Sequence, residues 1–311
     1  ATTVAAGVLE VSNASALGTS TRGSSSNGTT ILQGGALHIA GGASAGDFVL
    51  NEQLTLGSYS SSSGSYSSSG EAIIKLISGS ATIVNPFELH GDSAIESLSG
   101  ELLLDDTTAS SGAAMISLGS SCGLSSTCSL RIGGSGSTTS SGSVKTFLDP
   151  SSSAGSDGID LGSEKLTVNN NGLFRLSGDS EIDGSVLIDS GHLQLAYYGA
   201  EESSNATMRN EVNSSVVTLQ TEANSSFLTM QNEAKISFLT DFPEESPSGD
   251  LPDIVTLGPG NQTFYVESGH AVVINDLTFT GSGNLVKDGE GSLTFYDTSN
   301  GGTGALEHTG T

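Results

Sequence analysis

Tryptophan is absent from this 311-residue chain, and aromatic residues make up only 5% of it. A core built on large rings is excluded, so burial must come from Leu, Val and Ile in many small contributions. Basic residues are as scarce. Nine Lys and Arg stand against 34 Asp and Glu, for a net charge of -25. A phosphate backbone needs clustered Lys and Arg, so nucleic-acid binding is excluded and adhesion to an anionic membrane is disfavoured. No apolar run approaches the roughly 18 residues of a transmembrane helix, so no membrane insertion by this segment is expected. No basic stretch leading into an apolar core follows Ala1, and no signal peptide is expected. Charged residues are only 14%, which leaves the polar surface to Ser, Thr, Asn and Gly.

The chain has just two cysteines, Cys122 and Cys128, in the run SSCGLSSTC. Spaced this way they are read as a disulfide closing a small loop in an oxidising compartment, the alternative being a pair of free thiols. A zinc site would need two further ligands nearby, and the sequence offers none.

What is abundant is Gly, with 42 residues, and Ser, with 56. Between them run short stretches of alternating apolar and polar residues. In 165–195 the pairs Leu166/Val168, Phe174/Leu176, Val186/Ile188 and Leu193/Leu195 recur at period 2, bounded by Gly, Asn, Asp or Ser. The same pattern marks 1–11, 31–39, 72–84, 95–104 and 271–279. No stretch carries a helical period. One repeat is nearly exact: NSSVVTLQTEA at 213–223 and NSSFLTMQNEA at 224–234, with KISFLT at 235–240 opening a third copy. Each unit reads as a turn and a strand that cannot bury its apolar face alone, so neighbours must stack.

Three segments interrupt the pattern: the Ser-rich tract 57–70, the long Ser/Gly-rich stretch 105–157 with both cysteines, and the acidic, proline-bearing 241–253. They are expected to be loop insertions in a single domain spanning 1–311, the alternative being linkers between separate domains. Many short strands, small turn residues and no helix predict an all-β, right-handed parallel β-helix (β-solenoid) with Ser/Gly-rich loop insertions. A sandwich or propeller is the alternative. At about 20 residues per coil and ~4.8 Å between coils, about 11 coils would form a rod of about 50 Å.

Two segments carry a more specific pattern. In GSGNLVKDGEGSLTFY at 281–296, Gly281, Gly283, Leu285, Lys287, Gly289, Gly291, Ser292, Leu293 and Thr294 fall at fixed spacings. In TTVAAGVLEVSNASALG at 2–18, so do Thr3, Val4, Gly7, Leu9, Val11, Asn13, Ala16, Leu17 and Gly18. They resemble the first and second halves of the autotransporter-associated β-strand repeat of bacterial passenger domains. GGAL at 34–37 and FVLN at 48–51 are similar to motifs of polymorphic outer-membrane proteins, also autotransporters. The resemblance implies a β-helix stalk, secreted or displayed on a bacterial cell surface. The family's membrane barrel and signal peptide have no counterpart here, so the chain reads as a mature passenger fragment or a window of a longer protein. Leu285 and Leu293 are expected to point inward, and Lys287 outward into solvent.

Chemistry is sparse. The carboxylate pairs Asp105–Asp106, Glu201–Glu202 and Glu244–Glu245 lie in expected loops and read as solvated charge. His38, His90, His192, His270 and His308 lack metal-ligand spacing. GSDGIDLG at 155–162 faintly resembles a calcium-binding nonapeptide, with Asp157 and Asp160 as oxygen donors. Six sequons, at Asn13, Asn27, Asn205, Asn213, Asn224 and Asn261, follow from composition. No catalytic residue, metal or cofactor is expected. The function expected is that of an extracellular, non-enzymatic adhesin stalk or fibre protein with a host-surface or matrix ligand. The rivals are a polysaccharide-processing enzyme and a carbohydrate-binding module, the latter resting on Tyr59, Tyr66, Tyr197 and Tyr198. Because the end of the chain reads as though it continues into its own beginning, self-association end to end or a covalent repeat array is expected.

Overall fold

The structure, a computed structural model, describes residues 1–18, 28–57, 70–105, 114–120, 122, 128–133, 142–146, 159–169, 173–176, 180–182, 185–189, 191–195, 217–218, 228–231, 234–238, 254–275, 278–297 and 304–309. These are all-β apart from one 3-10 turn at Ala45–Asp47. The strands are short, as the period-2 runs require, and nearly all pair in parallel.

The chain visits three sheets in rotation. Phe87–Leu89, Ser93–Ser97 and Glu101–Leu104 enter the first, second and third sheets, and Ile116–Leu118, Leu130–Ile132 and Ser143–Thr146 repeat that order. Within these three sheets, strands adjacent in sequence therefore do not pair; each pairs with the strand of the chain's next visit to the same sheet. The second sheet has ten strands, from Gly7–Val11 to Thr278–Gly281, and the third has nine, from Val49–Leu50 to Asn284–Asp288. The first has five, from Thr2–Val4 to Ile116–Leu118, and a bridge from Ile116 to Ile159 leads on to Asp160–Gly162, Ser180–Ile182 and Val217–Thr218. A last sheet joins Ala271–Asn275 to Ser292–Asp297 in parallel, and Gly304–Thr309 turns back antiparallel on the latter.

Register turns alternation into continuous apolar ladders. Leu9, Leu37, Ile74, Ile95, Ile132, Val168, Ile188, Met230 and Leu257 align across the second sheet. All but Leu9 are buried, and Leu9 packs against the same cluster. Opposite them the third sheet aligns Leu102, Val144, Phe174, Leu193, Ile236 and Phe264, all buried. One apolar cluster runs from Val4 to Leu293. Each fully buried Leu or Phe is worth about 1.5–3 kcal/mol over its exposed state, which is how a core without tryptophan accumulates.

Two expectations change. The repeats at 213–223 and 224–234 do not stack on each other. Val217–Thr218 extends the first sheet's line, Leu228–Gln231 lies in the second sheet and Lys235–Phe238 in the third. An eleven-residue unit carries the chain from one sheet to the next, and its pairing partners come from the chain's previous and following visits to the same sheet. Second, 105–157 is not wholly looped out, because Ile116–Leu118, Leu130–Ile132 and Ser143–Thr146 thread it through all three sheets. Of the other two interruptions, 58–69 and 241–253 lie outside the described residues.

Candidate functional site

Outward-facing residues of the second sheet form two parallel columns near its first strands. One is Val8, Ala36, Ile73, Ala94 and Arg131; the other is Glu10, His38, Lys75 and Glu96. Across strands the second column runs acid, imidazole, amine and acid, which sets Lys75 directly beside Glu96. A groove of about 400 Å³ lies along them. Val8, Ala36, Ile73, His38, Lys75 and Glu96 are among the residues that line it.

Glu96 is the centre of the electrostatics. Its side chain is 1% exposed, with Lys75 Nζ 2.9 Å from Oε2 and Arg131 Nη2 2.8 Å from Oε1. The Lys75 contact is an ion pair without hydrogen-bond alignment. Arg131 also donates Nε to Glu71 Oε1 at 2.8 Å, Nη2 to Glu71 Oε2 at 2.6 Å, and Nη1 to the Gly133 carbonyl. Ala94, between Ile73 and Arg131 in register, is fully buried, and its small side chain leaves room for the arginine to reach back. Burial pulls the Arg131 guanidinium down, but its bonds to Glu71 and Glu96 outweigh this and hold it above its ordinary value. His38 is lowered by burial and by Lys75, against the opposing pull of Glu10 and Glu96. Glu71 and Glu96 both serve one guanidinium. This is a structural ion cluster and not a free acid–base pair.

A second polar surface lies on the outer face of the third sheet. His192 and Lys235 are direct register partners, and Arg175 aligns with Gln194 beside them. Arg175 Nε donates to Gln194 Oε1 at 3.1 Å, His192 Nε2 stands 2.7 Å from Ser237 Oγ, and Lys235 Nζ lies 4.3 Å from the centroid of the Tyr265 ring. Burial, then Lys235 and Arg175, lower the His192 pKa to about 4. Lys235 is not singled out in the sequence as a partner of this histidine. They are 43 positions apart, and only register brings them together.

Cys122 and Cys128 are joined by a disulfide with Cα atoms 5.6 Å apart, and Cys128 is fully buried. The histidines stay dispersed. His90 Nε2 meets Glu88 Oε2 at 3.0 Å, and among the described residues no group of three or more His, Cys, Asp or Glu could hold a metal ion. Asp160 Oδ1 accepts from the Gly162 amide at 3.2 Å in a local turn; Asp157 lies outside the described residues. So do Asp106, the carboxylate pairs at 201–202 and 244–245, and all four candidate sugar-stacking tyrosines.

Within the motif-like segment, Leu293 is fully buried and Leu285 packs partly against the core. Gly281 and Gly289 have φ of +98° and +80°, and a Cβ on either would come 2.2 Å from a backbone carbonyl oxygen. Lys287 departs from expectation. It is paired with the buried Phe264, so it sits on the core side of its strand. Its Nζ reaches the Gly289 carbonyl, so the stem packs while the amine finds an acceptor. No helix among the described residues is long and apolar enough to cross a membrane. Compared with known proteins, the chain matches no family model, no curated protein and no solved structure.

Proposed function

We propose that the chain winds as a right-handed parallel β-helix and serves as an extracellular, non-enzymatic stalk or fibre element, displayed on a bacterial cell surface. The observation that carries this reading is the rotation through three sheets with parallel pairing one round apart. Parallel strands joined by crossovers are almost always right-handed, which supplies the hand. Ten strands in the second sheet at ~4.8 Å spacing correspond to a rod of about 45 Å. The motif residues at 2–18 and 281–296 support the autotransporter-like reading.

Assembly is end to end, through a second copy or a covalent continuation. Support comes from the last strands of the second and third sheets, where Phe279 is 36% and Val286 is 37% exposed beside the partly buried Leu285 and Phe295. Phe279 pairs with the fully buried Val255, so it occupies a core position with no further strand over it. A polysaccharide-processing enzyme needs a free carboxylate to move a proton, and Glu71 and Glu96 are both tied to Arg131.

Sedimentation of the full chain at rising concentration, with micrographs, tests both parts. Rods that lengthen with concentration, and stop lengthening in Phe279→Asp, are the expected result. A concentration-independent monomer from a gene with no second related copy overturns the assembly. An image reconstruction lacking a ~4.8 Å axial repeat overturns the β-helix.

A further inference from the structure

We propose that the outer face of the third sheet binds a polyanionic glycan, a sugar chain bearing carboxylate or sulfate groups, across the patch formed by Arg175, His192 and Lys235. This deepens the extracellular reading above by naming a ligand class, but its test does not depend on assembly.

In a chain with 34 acidic and nine basic residues, a cation meets a carboxylate by default. Lys75 and Arg131 do so. Arg175 and Lys235 do not: among the described residues, their partners are the neutral amide of Gln194 and the ring of Tyr265. His192 turns to a neutral hydroxyl, Ser237 Oγ. Like charges gathered on one face of a sheet repel unless an anion joins them. The cost is felt at His192, which Lys235 and Arg175 help to keep neutral.

The local geometry suits an oxyanion. Arg175 commits Nε to Gln194, which leaves its terminal nitrogens as a fork for carboxylate or sulfate. Arg175 and Lys235 stand two strands apart, about 10 Å at the ~4.8 Å strand spacing, so a polymer with recurring charges meets both at once. A glycan fits better than an acidic peptide. An extended peptide docks through its main chain on an unpaired sheet edge, whereas Leu173–Leu176, His192–Leu195 and Lys235–Phe238 are each paired on both sides. Around the cations stand Gln194, Thr263 and Tyr265, all half-buried and able to meet sugar hydroxyls.

The test is calorimetric titration of the full chain at low salt with dextran sulfate, polygalacturonate, neutral dextran and poly-glutamate. Expected are binding of the two charged glycans, none of neutral dextran, and steep weakening with added salt. Arg175→Gln and Lys235→Gln should each weaken binding roughly tenfold, the loss of one charged hydrogen bond, while the exposed Lys165→Gln changes nothing. In the unmodified protein, the His192 imidazole followed by NMR should titrate at higher pH once the glycan is bound. The proposal is overturned by no binding of either charged glycan, by affinity unchanged in both variants, by poly-glutamate binding as tightly as the glycans, or by an unmoved His192 titration.

Discussion

Replacing Glu96 by glutamine removes the carboxylate that Lys75 and Arg131 share, at a side chain only 1% exposed. At 2.8–2.9 Å each pair is worth about 6 kcal/mol gross at an effective dielectric of 20. Desolvation of the three groups offsets most of this, yet removing one partner leaves the others buried without it, at about 3–5 kcal/mol. Glutamine keeps an oxygen for Arg131, and Arg131 keeps Glu71, so the expected loss is about 2–3 kcal/mol for Glu96→Gln and about 3–5 for Glu96→Ala. Long sheets of parallel strands need not unfold in one step, so the readout should be local. Amide exchange should quicken about 30- to 150-fold in Ala72–Ser78, Ser93–Ser97 and Leu130–Ile132, the strands the cluster spans, and stay unchanged in Ala271–Asn275. Adding Lys75→Met should restore part of the protection, because the stranded amine is then gone. Exchange in Ser93–Ser97 within twofold of the unmodified protein would refute the argument.

Other outcomes are equally open to measurement. His192 is lowered from 6.5 to about 4, so between those values the unfolded chain holds a proton that the folded one lacks. Stability is then full above about pH 6.5 and falls towards pH 4, by at most about 3 kcal/mol before discounting its partial exposure; urea midpoints against pH should flatten in His192→Gln. Thiol labelling without reductant should find no reactive group at Cys122 or Cys128, and reduction should cost about 2 kcal/mol, the value for so short a loop. Phe264→Ala should cost about 3–5 kcal/mol. Its ring is fully buried between Phe238 and Phe279, with centroids at 5.7 and 6.2 Å; a loss below 1 kcal/mol in thermal unfolding would mean that this end of the core is not packed as described.

Much of the fold was legible because it is written at short range. Alternation at Leu166/Val168, Phe174/Leu176, Val186/Ile188 and Leu193/Leu195 marks the strands and the side that faces inward, since a strand's period of two needs no partner to define it. The missing tryptophan and helical period likewise excluded helical and ring-filled cores. The spacing of Cys122 and Cys128 was also readable, since a loop that short brings the thiols near each other in most chain conformations. What the sequence left open is which strand lies beside which. The near-identical units at 213–223 and 224–234 suggested stacking on each other, but each takes a different side of the round. Register is set by apolar ladders that close only when distant rounds meet. The polar surfaces depend on the same step. Glu71, Glu96 and Arg131 converge, and Arg175, His192 and Lys235 share one face, only because parallel pairing brings together residues distant in the sequence. No local pattern encodes that distance, so the charge clusters belong to the tertiary structure alone.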